Sequence, residues 1–210
     1  MEQTELLVPF QDVEVEMIEK KSRFIGNIFL VSSEEEALAR RDEVHSRHPT
    51  ASHGVYAYDI KADNITRFSD AGEPKGTAGM PVLDVFRKRG LTNYICIVTR
   101  YFGGILLGAG GLVRAYSGTA ALALEAASVA RMAPFTTLEV LCEYPYYEKL
   151  RSMLKAYPIR QEETSFDLDV TYRIQMPADA VEAVTGAVTE CTSGRAIISV
   201  ADECFLPVRL

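Results

Sequence analysis

The residues best suited to chemistry lie between positions 99 and 114, where arginines and glycines follow an apolar run. A strand there leads through a glycine-rich loop into a helix, so the first helical amides have no partner within the helix. Those amides and the positive end of the helix dipole favour an anion such as phosphate. The arginines add planar cationic donors, and the aromatic residues offer rings on which bases can stack. The predicted phosphate-binding or nucleic-acid-binding residues of this stretch are Arg100, Tyr101, Phe102, Gly103, Gly104, Gly108, Gly110, Gly111 and Arg114.

Two common nucleotide motifs do not fit this stretch. No lysine of the Walker type follows the glycines, and their spacing differs from G-x-G-x-x-G, which disfavours P-loop hydrolysis and a dinucleotide site. The alternative to an anion site is a tight strand-to-helix connection. In that case Arg100 and Arg114 would form salt bridges and the two aromatic rings would lie in the core.

A second glycine-rich stretch, residues 67–79, is too irregular for a helix or strand and is long enough to need specific packing. It could flank the first stretch, with Lys75 and Thr77 as further donors and His53 nearby; the alternative is a surface lid or a rigid Ω-loop. Nothing resembling a nucleophile motif accompanies His53. His45 and His48 lack a third ligand for a metal. We therefore predict no catalytic residue, no metal site and no cofactor.

Composition and charge limit the class of protein. The chain has 210 residues, of which 48% are hydrophobic, enough for one large or two small globular domains. A net charge of −7 argues against a protein that coats nucleic acid without specificity. Residues 45–120 nevertheless carry nine basic and five acidic side chains and 11 of the 14 glycines. This local balance favours an anionic partner there, unless the charges are scattered over several faces.

Targeting and redox signals are absent from the sequence. It has no run of about 18 apolar residues, and its first residues, which include Glu2 and Glu5, lack the basic start of a signal peptide. The four cysteines lie far apart, which favours reduced, packed thiols over disulfides. We expect a cytoplasmic protein with no membrane partner.

The first 133 residues predict a domain that mixes strands and helices. Ser33 precedes Glu36 by three residues, the spacing of a capping box that opens a helix. Residues 94–99 are nearly all apolar, as in a central strand buried on both faces. The predicted strands are residues 12–17, 23–31, 55–60 and 94–99, and the predicted helices are residues 33–48, 81–90 and 111–130.

Pro134 marks the predicted start of a second domain, residues 134–210. Residues 166–176 alternate apolar and polar side chains, which predicts one half-exposed strand of an antiparallel sheet. The other predicted elements are strands at residues 137–143, 159–165 and 196–200 and helices at residues 145–156 and 177–194. The order β-α-β-β-α-β is typical of a ferredoxin-like unit. The predicted class is therefore α+β in two domains.

Several segments resemble the signatures of the YigZ/IMPACT family. Ala51-Ser52-His53 is similar to the family's Ala-Thr/Ser-His segment, although Gly54 and Val55 replace the polar residue and cysteine that usually follow, so a role for that cysteine does not carry over. The resemblance covers about residues 10–130, and the C-terminal portion is similar to the ferredoxin-like domain of bacterial members. The other matching segments are Arg100 to Gly104, Leu107 to Tyr116, Gly72 to Gly79 and Ser22 to Ile25.

The resemblance implies a first domain with the fold of ribosomal protein S5 domain 2 and a second domain like one in elongation factor G. It also implies a role in translation, because eukaryotic relatives regulate translation through a protein partner. Binding to RNA or the ribosome is an expectation that follows from the fold by analogy. We expect a non-enzymatic regulator, with Arg67 and Lys75 on the rim of its site. The alternatives are an enzyme for a small phosphorylated or nucleotide ligand, using Asp70 or Glu73 as base or metal ligand, and an adaptor that presents residues 166–176 to a protein.

Overall fold

A computed structural model describes residues 6–210 of the chain. Residues 1–5, which open the predicted first domain and include Glu2 and Glu5, lie outside the described residues. The chain divides into two compact units, Met1–Met132 with Pro207–Leu210 and Ala133–Leu206, called the first and second unit below. Each unit has its own hydrophobic core. The α+β class is confirmed.

The elements of the first unit are β1 Leu7–Pro9, β2 Val13–Glu19, β3 Ser22–Leu30, α1 Glu34–Arg47, β4 His53–Ile60, β5 Ile65–Ser69, α2 Gly79–Arg87, β6 Tyr94–Tyr101 and α3 Ala109–Ala127. A five-stranded antiparallel sheet in the order β2-β3-β6-β4-β5 forms the centre of this unit. Helices α2 and α3 pack on one face of this sheet, and α1 packs on the other. The central strand β6 is buried from Tyr94 to Arg100, as its apolar sequence predicts.

The ends of two helices show what local sequence can specify. Ser33 is the N-cap of α1 as predicted, because the Glu36 N–H donates to Oγ of Ser33 at 3.2 Å. The reciprocal bond of a capping box is displaced by one residue, since the Glu36 carboxylate accepts the N–H of Ser32 at 2.8 Å. Helix α3 begins at Ala109, two residues earlier than predicted, because Gly108 already takes the N-cap position. Strands β1 and β5 were not predicted, since β1 has only three residues and β5 has no fully buried residue.

The second unit has the predicted order β-α-β-β-α-β, which is confirmed. The elements are β7 Val129–Cys142, α4 Tyr144–Leu154, β8 Gln161–Phe166, β9 Val170–Pro177, α5 Val181–Thr192 after a short 3₁₀ turn, and β10 Ile197–Arg209. The strands lie in the order β10-β7-β9-β8, and one face of the sheet packs on α4 and α5. The start of β7 belongs to the first unit, where it pairs with β1.

The prediction of one strand over residues 166–176 is wrong. A tight turn at residues 167–169 separates β8 from β9, and the Asp167 N–H donates to the Asp169 carbonyl at 3.1 Å. The alternating pattern continues across this turn because a hairpin preserves the side-chain period of two on both strands. The apolar residues of β9 are therefore buried, while Phe166 is 59% exposed and Leu168 is 92% exposed.

The four cysteines are free thiols. Cys96 and Cys142 are buried, whereas Cys191 and Cys204 are half-buried. Within residues 6–210, no helix is long and apolar enough to cross a membrane. The same residues contain no group of three His, Cys, Asp or Glu side chains placed to hold a metal ion.

Candidate functional site: two glycine-rich loops

The 70–79 loop is a glycine-rich loop that leads from β5 into α2, and Asp70 binds the backbone N–H groups at its far end. Its carboxylate accepts the N–H groups of Gly76 at 2.8 Å, Gly79 at 2.9 Å and Ala78 at 3.1 Å. Burial alone would raise the pKa of Asp70, but these three donors outweigh it and lower the pKa. Asp70 thus occupies the place at the α2 N-terminus where an external anion would bind.

The loop also carries Glu73, which lies at the centre of a buried polar cluster. Its Oε1 accepts a hydrogen bond from Nη1 of Arg100 at 2.6 Å and from the Tyr116 hydroxyl at 2.7 Å. Nε2 of His53 lies 3.7 Å from the same oxygen. Burial, followed by the bond to Glu73, raises the pKa of Tyr116. With Ser22, whose Oγ is 3.4 Å from Nη2 of Arg100, these residues form the Glu73 cluster.

Arg100 is therefore not the surface phosphate ligand that its sequence position suggests. Its side chain is 6% exposed, and its charge is balanced by Glu73, whose side chain is 3% exposed. Among the described residues, Nε of Arg100 has no hydrogen-bond partner. The guanidinium carbon lies 5.5 Å from the ring centroid of Phe24 and 5.5 Å from that of Phe102. For this arginine, the salt-bridge alternative matches the structure.

The two predicted stacking rings have different surroundings. Tyr101 is half-buried, its hydroxyl lies 3.0 Å from Nδ1 of His48, and Arg23 lies over its ring. Phe102 is 47% exposed, and its backbone N–H is fixed by Oγ of Ser52 at 3.2 Å. Phe102 is therefore the ring that a base could reach.

Three more predicted site residues serve the packing of the loops. Nδ1 of His53 donates to the Ala71 carbonyl at 2.9 Å, since a carbonyl oxygen can only accept. Thr77 is buried, and its hydroxyl donates to the Pro74 carbonyl at 2.7 Å. A Cβ on Gly103 would lie 2.0 Å from the carbonyl carbon of Lys21, so only glycine fits this close approach.

The 102–111 loop, the other glycine-rich loop, leads from β6 into α3, and within residues 6–210 no side chain caps the helix that follows it. Gly108 is the N-cap of a 19-residue helix, with no side-chain cap bond and no acidic residue in the first turn. Gly104, Gly108 and Gly110 are exposed and Gly111 is half-buried; Leu106 is 82% exposed. Arg114 is exposed, with Nη1 3.6 Å from where a Cβ on Gly110 would lie. The first amides of α3 thus face solvent beside a cationic side chain.

Sequence reasoning missed a second basic element next to this loop. Lys20 and Lys21 form the two-residue turn between β2 and β3, and both are exposed. Both have left-handed backbone conformations, φ 45° and 65°, that turns of this kind usually give to Asn or Gly. The Lys21 backbone touches Gly103, which brings the turn beside the 102–111 loop. A lysine pair in a hairpin was visible in the sequence, but this contact between distant segments was not.

Lys75 is exposed on the 70–79 loop, as predicted for the rim, and Arg67 is exposed on β5. Two cavities, of about 270 and about 390 Å³, lie instead on the sheet of the second unit. Their linings include Glu139, Glu163 and Arg173, and neither includes a residue of the two glycine-rich loops.

The protein is therefore an α+β protein with two units. Its first unit has two glycine-rich loops before helices: an internal carboxylate binds the amides at the end of the 70–79 loop, and no side chain of the described residues caps the helix after the 102–111 loop. Residues 20–124 match the Impact N-terminal domain, and residues 140–195 match a domain of unknown function, DUF1949. The chain belongs to the IMPACT family.

Named relatives span nearly the same length. IMPACT family member YvyE of Bacillus subtilis is 34% identical over 194 residues, which cover 92% of this chain and 89% of that protein. IMPACT family member YigZ of Escherichia coli is 34% identical over 191 residues, 90% of this chain and 94% of that protein. A crystal structure described as that of a hypothetical protein aligns with 94% of this chain and 97% of its own, at 32% identity and a TM-score of 0.59.

Proposed function

We propose that this protein is a cytoplasmic regulator of translation that binds RNA or the ribosome through the exposed part of the 102–111 loop. The translational role is supported by membership of the IMPACT family and by the signature segments described above. Binding rather than catalysis is proposed because Asp70 and Glu73, the acids beside the loops, are already engaged by internal donors. An enzyme would need one of them free as base or metal ligand.

One observation carries the proposal, the open N-terminus of α3. Its N-cap, Gly108, makes no side-chain cap bond and its first turn contains no acidic residue, whereas Asp70 accepts the amides at the start of α2. Free amides at a helix N-terminus, a cationic side chain in its first turn and an exposed ring suit a phosphate with an attached base. The proposed ligand groups are therefore the amides of residues 109–111, Arg114 and Phe102, whereas Arg100 is bound to Glu73.

The basic residues around the loop favour a polymer over a single nucleotide. Lys20 and Lys21 lie beside Gly103 at one end of the loop, and Arg114 lies beside Gly110 at the other. None of the three has an ion-pair partner among residues 6–210. Cations at both ends of a loop can contact successive phosphates of one strand, which a mononucleotide lacks.

The test measures binding of the purified protein to ribosomes and to short single-stranded RNA between about 50 and 200 mM salt. We expect Arg114→Ala to weaken binding to every RNA sequence and to reduce the slope of log affinity against log salt by about one. Phe102→Ala should lower the affinity about tenfold with the slope unchanged, because stacking contributes about 1–3 kcal/mol per base. Arg89→Ala, which removes an exposed arginine after α2, is the matched control.

Equal slopes for Arg114→Ala and Arg89→Ala would contradict the proposed site. Absence of RNA and ribosome binding at about 50 mM salt would contradict the proposed function itself. Thermal stabilisation by one nucleotide and not by RNA would instead indicate the small-ligand alternative.

A further inference from the structure

We propose that the second unit carries a separate docking surface for a cationic polypeptide segment that contains apolar side chains. The surface is the apolar tip, formed by Tyr144, Phe166 and Leu168, and it lies at the β8–β9 turn and the start of α4. This inference goes beyond the proposed RNA function and does not depend on it.

Exposure is the first observation. Leu168 is 92% exposed, Phe166 is 59% exposed and Tyr144 is 50% exposed. The fold therefore does not obtain from Leu168 the stabilisation that a buried leucine side chain contributes. A polar residue would serve a hairpin turn better, so the fold alone gives no reason for a leucine here.

The tip is ordered before any partner arrives. The Tyr144 and Phe166 rings stack with centroids 6.2 Å apart, and Tyr147 packs edge-on against Phe166 at 5.3 Å. The Tyr144 hydroxyl donates to the Asp167 carbonyl at 2.6 Å, which ties the start of α4 to the turn. A preformed apolar surface loses less conformational entropy on binding than a mobile loop does.

The acidic residues around the apolar tip indicate the charge of its partner. Asp167 and Asp169 flank Leu168, Glu143 precedes Tyr144, and all three acids are exposed. None of them forms a salt bridge among the described residues. Residues 133–206 carry 12 acidic and six basic side chains. This sign repels nucleic acid and anionic lipid, and it attracts lysine and arginine.

The exposed rings complement the same partner. A lysine or arginine over the ring of Phe166 or Tyr144 gains a cation–π contact, and the neighbouring carboxylates add charge. Leu168 lies between Asp167 and Asp169 in the sequence, and all three are exposed, so the leucine can enter an apolar recess of a partner while the aspartates meet its cations. The expected partner is therefore a basic protein segment with apolar side chains, rather than RNA or a membrane.

The experiment uses labelled synthetic peptides and the full chain, with fluorescence anisotropy for affinity and NMR amide shifts for location. The probe alternates lysine and leucine; one reference peptide has serine for leucine, and a second has glutamate for lysine. We expect the lysine–leucine peptide to bind most tightly and to shift the amides of residues 144 and 166–169. Leu168→Ser should weaken this binding about tenfold or more, because it removes a buried leucine contact.

One control variant and one further test variant complete the experiment. Leu106→Ser makes the same change at a leucine that is 82% exposed in the first unit, and it should leave peptide binding unchanged. Asp169→Asn should weaken binding and reduce its salt dependence, while circular dichroism shows an intact fold. Equal binding to Leu168→Ser and Leu106→Ser, equal binding of all three peptides, or no binding up to about 1 mM would overturn the proposal.

Discussion

The 70–79 loop and the 102–111 loop each lead from a strand of the same sheet into a helix, and both are rich in glycine. In the first, Asp70 accepts the amides at the start of α2, and Glu73 binds Arg100. In the second, Gly108 opens α3 without any side-chain cap. The difference between the two loops is an internal carboxylate, which occupies the helix N-terminus after the 70–79 loop. Where none is supplied, the helix N-terminus remains available to a ligand.

Arg100→Ala should have the largest effect on the free energy of unfolding. It leaves the Glu73 carboxylate buried without its cation, and breaking a buried ion pair from one side costs about 3–5 kcal/mol. Urea unfolding followed by circular dichroism measures the loss. Arg114→Ala, at an exposed arginine, should change the unfolding free energy by less than about 0.5 kcal/mol. If both variants were equally stable, Arg100 would not be the structural arginine that its burial indicates.

Gly103→Ala should have the second largest effect on stability. The new Cβ would meet the Lys21 backbone, which cannot move aside as a flexible side chain can, so a loss of about 1–3 kcal/mol is expected. Gly104→Ala is the comparison, since its Cβ would meet no atom within 4 Å and only its φ of +83° opposes alanine. Thermal unfolding of both variants ranks them. A smaller loss for Gly103→Ala than for Gly104→Ala would show that the loop does not press on the β2–β3 turn.

Asp70→Asn should have the smallest effect on stability of the three, about 0.5–2 kcal/mol at neutral pH. The asparagine amide has one acceptor oxygen and no charge, whereas the Asp70 carboxylate accepts three N–H groups with both of its oxygens. The sign of the pH dependence follows from the lowered pKa of Asp70. Its contribution is present above the unfolded-state pKa of about 3.9 and is lost as the pH falls through the folded-state pKa. The wild-type chain should therefore lose its advantage over Asp70→Asn in acid. A constant difference down to about pH 2 would contradict this role.

Local sequence predicted most of the helices and strands, although it missed β1, β5 and the β8–β9 turn, and it did not predict the partners of the site residues. The apolar run of β6 and the Ser33–Glu36 capping box predict their elements because both signals involve near neighbours. The burial of Arg100 depends on Glu73, which reaches it from another loop, and no local pattern encodes that contact. An arginine before two glycines has the same appearance whether it meets a phosphate or an internal carboxylate.

The predicted site residues of the two loops differ in exposure. Gly108, Gly110 and Arg114 are exposed, because a helix start with small residues and no acid needs no tertiary partner. His53 and Thr77 face inward, because the 70–79 loop folds back on β4 and on itself. The Lys20–Lys21 turn was missed for the same reason, since its contact with Gly103 is tertiary.

The distribution of the cysteines has a practical consequence for spectroscopy. Cys96 is buried in the core of the first unit, and burial raises the pKa of its thiol, so it resists alkylation. Burial also raises the pKa of Cys142, which leaves Cys191 and Cys204 as the thiols open to maleimide dyes. Both lie in the second unit. A fluorophore attached to the native chain would thus report on the unit that bears the apolar tip and leave the 102–111 loop chemically untouched.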